Sequence, residues 1–216
     1  MKDHKTGMTE ANRYDDAWAT GDYNPMVGMY YVRCLYRDDY FAKCKNLLDV
    51  GCGTGAAVRY HREIGGIEAY GIDFAQQAID TWKQFLVDKF CFVGAAEDIP
   101  FKDNTFDFVT CTDMLEHVPE ENVPGALKEM FRVGRDRFFF AVSLAPANVK
   151  MPHDGSEPHV CLKEPEWWVE QIGRVGYRYP VPPYVTNLLV IKARKPKCES
   201  ILMLPVTVTK RVVFAR

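Results

Sequence analysis

The sequence predicts an α/β fold in which a mostly parallel sheet of seven strands is covered by helices on both faces. Short apolar runs alternate along the chain with segments of helical periodicity, and this alternation is typical of a parallel sheet. The strand segments are apolar throughout, as expected when both faces of a sheet are buried. A chain of 216 residues is long enough for one domain of this kind.

The first half of the chain supplies most of the alternation. Residues 1–23 are polar with isolated aromatic side chains and are predicted as a loose or weakly helical arm, and a helix over 26–42 follows it. Residues 46–50 are a short apolar run that stops at a glycine-rich turn, as a buried strand does. The further predicted strands are 67–72, 90–93, 106–111 and 137–143, and the helices between them are 56–63, 75–88 and 123–133.

The alternation breaks after residue 143. Residues 145–161 contain three prolines, one glycine and two histidines, and are predicted as a loop over the carboxyl edge of the sheet. A helix over 164–175 follows, with Pro165 near its first turn, where proline is favourable. Strands over 177–181 and 187–193 complete the sheet.

Three segments result from this reading of the chain. They are an N-terminal arm and helix (1–44), the single α/β domain (45–200) and a β-branched C-terminal tail (201–216). The tail is suited to an added strand or an oligomer contact, so the protein is expected to be a monomer or a homodimer.

The composition indicates a protein of the cytoplasm. The formal charge of -2 gives no general attraction to nucleic acid or to an anionic membrane. The seven cysteines are odd in number and form no C-x-x-C pair, which favours reduced thiols over a disulfide framework. The first residues lack the apolar core of a signal peptide, and no apolar run is long enough to span a bilayer. We expect neither a nucleic-acid nor a membrane partner.

The glycine-rich turn after the first predicted strand is the most informative motif. Gly51 and Gly53 allow the backbone to turn sharply and to approach a ligand. The helix that starts next presents free N–H groups and a positive dipole end, which suit a phosphate or a carboxylate. Asp49 distinguishes between these ligands, because an acid repels a pyrophosphate but pairs with the ammonium group of an amino acid.

Two later segments extend this predicted ligand site. Asp73 ends the second predicted strand, where a carboxylate accepts hydrogen bonds from both hydroxyls of a ribose. Phe74 beside it offers a flat apolar wall to an adenine. Residues 94–101 follow the third strand, and there a backbone N–H and an acidic side chain suit the edge of an adenine.

These motifs resemble the class I, Rossmann-like methyltransferases, in particular the branch of small-molecule and quinone-pathway enzymes. The resemblance covers about residues 46–143 and includes four signals in the family's order. They are the V-G-C-G-T-G turn at 50–55, Asp73, the A-E-D-I-P-F segment at 96–101 and the D-x-x-E-H-V run at 113–118. This chain departs from the family pattern at Ala95, where many members carry an aspartate.

The resemblance implies that the cofactor is S-adenosylmethionine. The glycine turn then borders its methionine part, Asp73 holds the ribose, and Ala96 and Glu97 lie beside the adenine. The residues expected to contact the cofactor are Asp49, Gly51, Cys52, Gly53, Asp73, Phe74, Ala96, Glu97, Cys111 and Thr112.

Other readings of the glycine turn remain open at the sequence level. The turn is also consistent with a purely structural role, in which glycines allow tight packing between a strand and a helix. In addition, Gly51-x-Gly53-x-x-Ala56 matches a dinucleotide-binding fingerprint. Asp49 and the acidic residues at 97–98 favour S-adenosylmethionine over a nicotinamide cofactor.

Three histidines are candidates for a general base, which helps when the methyl acceptor is a hydroxyl. His117 follows the fourth strand, and His153 and His159 belong to the predicted loop over the sheet edge. Alternatively, His117 lines the cofactor pocket or caps the turn before the next helix. His153 and His159 are then ordinary polar residues of a solvated loop. We expect no metal, because their spacing matches no compact metal site. In the N-terminal arm, Arg13, Tyr14 and Trp18 are expected to close over the cofactor.

The acceptor is expected to be a small hydroxylated molecule, a sugar or a secondary metabolite, with methylation at oxygen. Residues 111–114 read C-T-D-M and lack the Asn/Asp-Pro-Pro-Tyr/Phe turn typical of enzymes that methylate the amine of a base. The alternatives are a non-catalytic S-adenosylmethionine-binding subunit and a methyltransferase that acts on a protein or an RNA.

Overall fold

Seven strands of the described residues form one sheet in the order β3-β2-β1-β4-β5-β7-β6. The structure, a computed structural model, describes residues 10–21, 29, 31–32, 41–81, 89–178 and 188–194. Its helices are α1 (Glu10–Ala19), α2 (Ala56–Glu63), α3 (Gln76–Thr81), α4 (Val123–Val133) and α5 (Pro165–Val175). Its strands are β1 (Asn46–Val50), β2 (Glu68–Asp73), β3 (Cys91–Val93), β4 (Phe106–Thr112), β5 (Gly134–Ser143), β6 (Tyr177–Arg178) and β7 (Leu188–Arg194).

The sheet confirms the predicted α/β class. Strands β1 to β5 pair in parallel, whereas β7 runs antiparallel to β5 and to β6. The strand order reverses between β1 and β4, because β2 lies on one side of β1 and β4 on the other. In sheets of this kind, ligands bind at the carboxyl edge beside this reversal.

Strand β5 shows why the sheet needs helices on both faces. Successive side chains of a strand point to opposite faces. Phe138 and Phe140 accordingly belong to the apolar cluster that includes Trp168 of α5, whereas Phe139 belongs to the cluster that includes Val58 of α2. The three consecutive phenylalanines are each 3% exposed or less.

The element boundaries differ from the prediction at a few places. Strand β5 begins at Gly134 and not at 137, because α4 passes directly into the strand and Gly134 is already extended. The weakly helical arm contains the regular helix α1, which buried Tyr14 and Ala17 anchor to the domain. Of the helix predicted over 26–42, residues 29, 31 and 32 are helical. Residues 41 and 42 lie in a turn, so the predicted helix does not extend to 42. Residues 26–28, 30 and 33–40 and the tail 201–216 lie outside the described residues, and the three-segment division stays a prediction.

No helix within the described residues combines the length and the apolar character that crossing a membrane requires.

Candidate active site

A cavity of about 550 Å³ lies at the carboxyl edge of β1, β2, β4 and β5. The glycine turn (residues 51–55) and the ends of β2 and β4 form one side of it, and Tyr14 and Trp18 of α1 contribute a second side. Residues 145–149 and His159 close the third side. The predicted loop over the sheet edge is therefore part of the cavity wall.

The glycine turn is fixed to the neighbouring strand. The backbone N–H groups of Gly51 and Cys52 both donate to the carbonyl of Ile72, at 2.8 and 3.0 Å. Gly51 has a φ of 76°, and a Cβ there would lie 2.3 Å from Cγ of Met114. Only glycine combines this left-handed backbone with the available space.

Asp73 is held at the cavity by the turn itself. Its Oδ2 accepts the N–H of Gly53 at 2.8 Å, and its Oδ1 accepts the N–H of Ala75 at 2.9 Å. Burial raises the pKa of Asp73 to about 6, although these hydrogen bonds oppose the rise. Each carboxylate oxygen can accept further hydrogen bonds, so the side chain is suited to the two hydroxyls of a ribose.

Asp49 lies beneath the turn, at the end of β1. It is 5% exposed, and its Oδ1 accepts the hydroxyl of Thr110 at 2.7 Å. Burial raises the pKa of Asp49 to about 7, and the charge of Asp73 adds to the rise. A nearby ammonium group stabilises the ionised form, as the predicted amino-acid end of the cofactor requires.

The raised pKa of Asp49, together with its expected contact to the cofactor's ammonium, predicts that cofactor affinity depends on pH. In the free protein the carboxyl is neutral below about pH 7 and charged above it, and only the charged form pairs with an ammonium. Binding of S-adenosylhomocysteine should therefore be roughly tenfold tighter at pH 7.5 than at pH 6. Calorimetric titration at both pH values measures this ratio, and Asp49→Asn should weaken binding and reduce the ratio. A wild-type dissociation constant that is the same at both pH values contradicts the role of Asp49.

His117 is anchored by the N-terminal helix and by the loop. Its Nδ1 lies 2.9 Å from the hydroxyl of Tyr14 and 3.1 Å from the carbonyl of Pro158, and the Tyr14 hydroxyl donates to the same carbonyl at 3.2 Å. A carbonyl only accepts, so these contacts favour the tautomer with the proton on Nδ1. Nε2 then carries the lone pair. Burial lowers the pKa of His117 to about 4, which keeps the ring neutral at pH 7.

His159 is oriented in the same way and stands beside His117. Its Nδ1 lies 2.6 Å from the carbonyl of Ala145 and therefore donates to it. The two imidazole rings meet edge to face with their centroids 4.7 Å apart. Both histidines thus present Nε2 as their basic nitrogen.

Glu116 completes a cluster with these two histidines. One ligand atom from each of the three side chains lies within 4.8 Å of the others. The Oε1 of Glu116 accepts the N–H of Ser143 at 3.0 Å, whereas its buried Oε2 has no hydrogen-bond partner among the described residues. Two imidazoles and a carboxyl can share a proton, and the same donor set suits a divalent cation. The expectation of no metal therefore stays a prediction.

His153 lies apart from this cluster. It does not line the cavity, and its Nε2 bonds to Asp16 of α1. Of the two histidines of the loop, the structure thus places His159 at the cavity and His153 on the outer side, against the N-terminal helix.

Helix α1 contacts each part of the site. The ring of Tyr14 packs on Phe74 with a centroid distance of 5.0 Å, and the Trp18 ring lies 3.1 Å from where a Cβ of Gly53 would be. Asp15 accepts the N–H of Gln77 at 2.8 Å, which joins α1 to the start of α3. Tyr14 and Trp18 line the cavity, whereas Arg13 does not and instead donates to the hydroxyl of Ser156 at 2.7 Å. Closure of these side chains over the cofactor stays a prediction.

The remaining predicted contact residues divide into two groups. Cys52, Phe74 and Thr112 line the cavity. Cys111 is fully buried in the core, while Ala96 and Glu97 lie outside the cavity lining.

Sequence reasoning missed Glu116 and Asp113. The run at 113–118 contains both residues, but only His117 was selected from it. Asp113 lines the cavity with a φ of 50°, and strained non-glycine residues of this kind cluster at functional sites. The signal that could have found Glu116 is an acid directly beside a candidate base at a strand end.

Comparison with known proteins agrees with this geometry. A methyltransferase domain family matches residues 48–141. A ubiquinone biosynthesis O-methyltransferase of Pseudoalteromonas translucida is 30% identical over 60% of this chain and 63% of its own length. A norajmaline N-methyltransferase of Rauvolfia serpentina is 35% identical over 44% of this chain and 34% of its own.

Solved structures share the fold. A crystal structure of a SAM dependent methyltransferase from Aquifex aeolicus superposes with a TM-score of 0.58 at 18% identity, covering 83% of this chain and 97% of the other. Residues 48–141 thus match a methyltransferase domain in sequence, and the chain shares the fold of the solved methyltransferase. The chain spans about a third of the length of the N-methyltransferase and just under two thirds of the length of the O-methyltransferase.

Proposed function

We propose that the protein transfers a methyl group from S-adenosylmethionine to a hydroxyl oxygen of a small acceptor, a sugar or a secondary metabolite. One observation carries the proposal. The imidazoles of His117 and His159 stand on the wall of the same cavity as the two carboxylates expected to hold the cofactor, Asp49 and Asp73.

The chain's residues supply binding, alignment and a proton acceptor. S-adenosylmethionine, when bound, supplies an activated methyl group. Asp49 and Asp73 orient it through its ammonium and ribose, and Tyr14 and Trp18 limit the access of water. The acceptor's oxygen forms the new bond to the methyl carbon while the carbon–sulfur bond of the sulfonium breaks, and the electron pair stays on sulfur to give S-adenosylhomocysteine. The acceptor's proton passes to an imidazole Nε2 of the histidine pair.

The relatives support transfer to a small molecule but differ in the atom that receives it. By name, one is an O-methyltransferase and another an N-methyltransferase. Oxygen is proposed here because a neutral hydroxyl has to lose a proton during the transfer, and the histidine pair provides an acceptor for it.

Substitution of the two histidines tests the base. His117→Asn and His159→Asn should each lower kcat about 100-fold, since a general base contributes on this order or more, and should leave the dissociation constant of S-adenosylhomocysteine within about twofold. His153→Asn is the matched control, because it lies on the same loop but outside the cavity. Unchanged activity in both His117→Asn and His159→Asn removes histidine base catalysis from the account.

The reaction itself is tested by turnover of S-adenosylmethionine to S-adenosylhomocysteine with a panel of free sugars and phenols, with and without EDTA. Turnover with at least one hydroxylated compound supports the proposal. Cofactor binding without turnover on any compound favours the non-catalytic alternative. Turnover that EDTA abolishes and Mg²⁺ restores assigns the Glu116 cluster to a cation.

A further inference from the structure

One face of α4 supports the loop that follows β3, here called the post-β3 loop (residues 94–103). Gly125, Glu129 and Arg132 are four and three residues apart, so they lie on the same face of the helix. Each of them meets the post-β3 loop. At Gly125, a Cβ would lie 3.8 Å from Cγ of Glu97.

Arg132 binds the loop through its backbone. Its Nη2 donates to the carbonyl of Ile99 at 2.8 Å, and its Nη1 donates to the carbonyl of Phe101 at 2.8 Å. Nη1 also reaches the carboxylate of Asp103 at 2.8 Å. One planar guanidinium thus fixes three successive points of the loop.

Glu129 orients this guanidinium and adds a fourth contact. Its two carboxylate oxygens accept from Nε and Nη2 of Arg132, both at 2.7 Å. Its Oε2 also accepts the N–H of Ile99 at 3.1 Å. The pair therefore holds both backbone groups of Ile99, whose side chain is 2% exposed.

The segment before Ile99 is fixed at its other end. The N–H of Gly94 donates to the carbonyl of Asp73 at 3.0 Å, which ties the loop to the acid expected to hold the ribose. The N–H of Asp98 donates to the carbonyl of Ala95 at 3.2 Å and closes a turn. Residues 95–98, which the family resemblance places beside the adenine, do not line the cavity themselves. They lie between two anchored points, the first of which is the backbone of Asp73, a residue of the cavity wall.

We propose that Glu129 and Arg132 are positioning residues for the adenine of the cofactor. From helix α4 they fix the course of the post-β3 loop, and they do not touch the ligand. The inference rests on the proposed function, because the adenine belongs to S-adenosylmethionine. Lysine cannot replace the arginine, since a single ammonium lacks the planar fork that serves two carbonyls and two carboxylates together.

The test compares two arginines at neighbouring positions. Arg132→Lys should raise the dissociation constant of S-adenosylhomocysteine about tenfold, which corresponds to about 1.4 kcal/mol. Arg135→Lys is the control, because Arg135 bonds to the carbonyl of Asn104 and to Asp107, both at 2.7 Å and both beyond the loop. Calorimetric titration gives the dissociation constants, and thermal unfolding compares the stability of the two variants.

A positioning role also predicts which kinetic constant changes. With any acceptor that turns over, Arg132→Lys should raise KM for S-adenosylmethionine and leave kcat at saturation within about twofold. Glu129→Gln, which keeps an acceptor for the N–H of Ile99, provides a milder second variant if Arg132→Lys folds poorly. Wild-type affinity in both variants overturns the inference, as does equal weakening in Arg135→Lys. Absence of binding by the wild-type protein instead refutes the proposed function itself.

Discussion

Replacing Asp73 with alanine should raise the dissociation constant of S-adenosylhomocysteine about 100-fold. Two ribose hydroxyls are expected to donate to this carboxylate, and a hydrogen bond to a charged group contributes about 1.5–3 kcal/mol. The variant also releases the N–H groups of Gly53 and Ala75, which Asp73 accepts at 2.8 and 2.9 Å. Loss of the carboxylate therefore removes a ligand contact and loosens the glycine turn together.

Calorimetric titration of the variant measures this loss. Asp80→Ala is the control, because Asp80 lies on the adjacent helix α3 and bonds to Gln76 at 3.0 Å, away from the cavity. The control should bind S-adenosylhomocysteine like the wild type. If Asp73→Ala binds within about threefold of the wild type, the ribose is held elsewhere and the site is assigned wrongly.

Gly51→Ala should destabilise the fold by about 3 kcal/mol and abolish measurable cofactor binding. The left-handed backbone, with a φ of 76°, costs a residue with a Cβ about 1–2 kcal/mol. The new Cβ would also lie 2.3 Å from Cγ and 2.6 Å from Cβ of Met114, and overpacking of this kind costs about 1–3 kcal/mol more. Met114 lines the cavity, so its displacement changes the shape of the site.

Thermal unfolding separates the two contributions. Gly66→Ala is the matched control, because Gly66 has a φ of 61° but nothing within 4 Å of the added Cβ. For a chain of this size, about 1 kcal/mol lowers the midpoint by roughly 2–4 °C. We expect a fall of about 6–12 °C for Gly51→Ala and a smaller one of about 2–8 °C for Gly66→Ala. Equal falls in the two variants contradict the packing argument.

The wall of the cavity formed by Asp49, Asp73 and the glycine turn could be predicted because its signals are local. The glycine turn needs a left-handed backbone within a few residues of sequence, and an acid at a strand end needs only the strand to be recognised. Asp49, Asp73 and the turn accordingly meet at one cavity.

The acceptor side depends on contacts between distant parts of the chain. His153 and His159 are six residues apart in one loop and cannot be distinguished by pattern. The path of the loop, with Ala145 and Pro158 supplying carbonyls, brings only His159 to His117. Tyr14 meets His117 across 103 residues of sequence, which no periodicity reveals.

The contacts of Arg132 could not be predicted, for a related reason. An arginine in the last turn of a helix reads from sequence as a favourable partner for the helix dipole. Its partners are backbone carbonyls of the post-β3 loop, and carbonyls carry no signature in the amino-acid sequence.

Thermal unfolding of the wild-type protein with S-adenosylmethionine, S-adenosylhomocysteine and NAD, each added separately, tests the central claim most directly. A ligand at about 100 times its dissociation constant stabilises the folded state by about 2.7 kcal/mol, which raises the midpoint by roughly 5–10 °C. We predict this rise with the first two ligands and none with NAD. A rise with NAD alone would contradict the assignment of the cavity to S-adenosylmethionine.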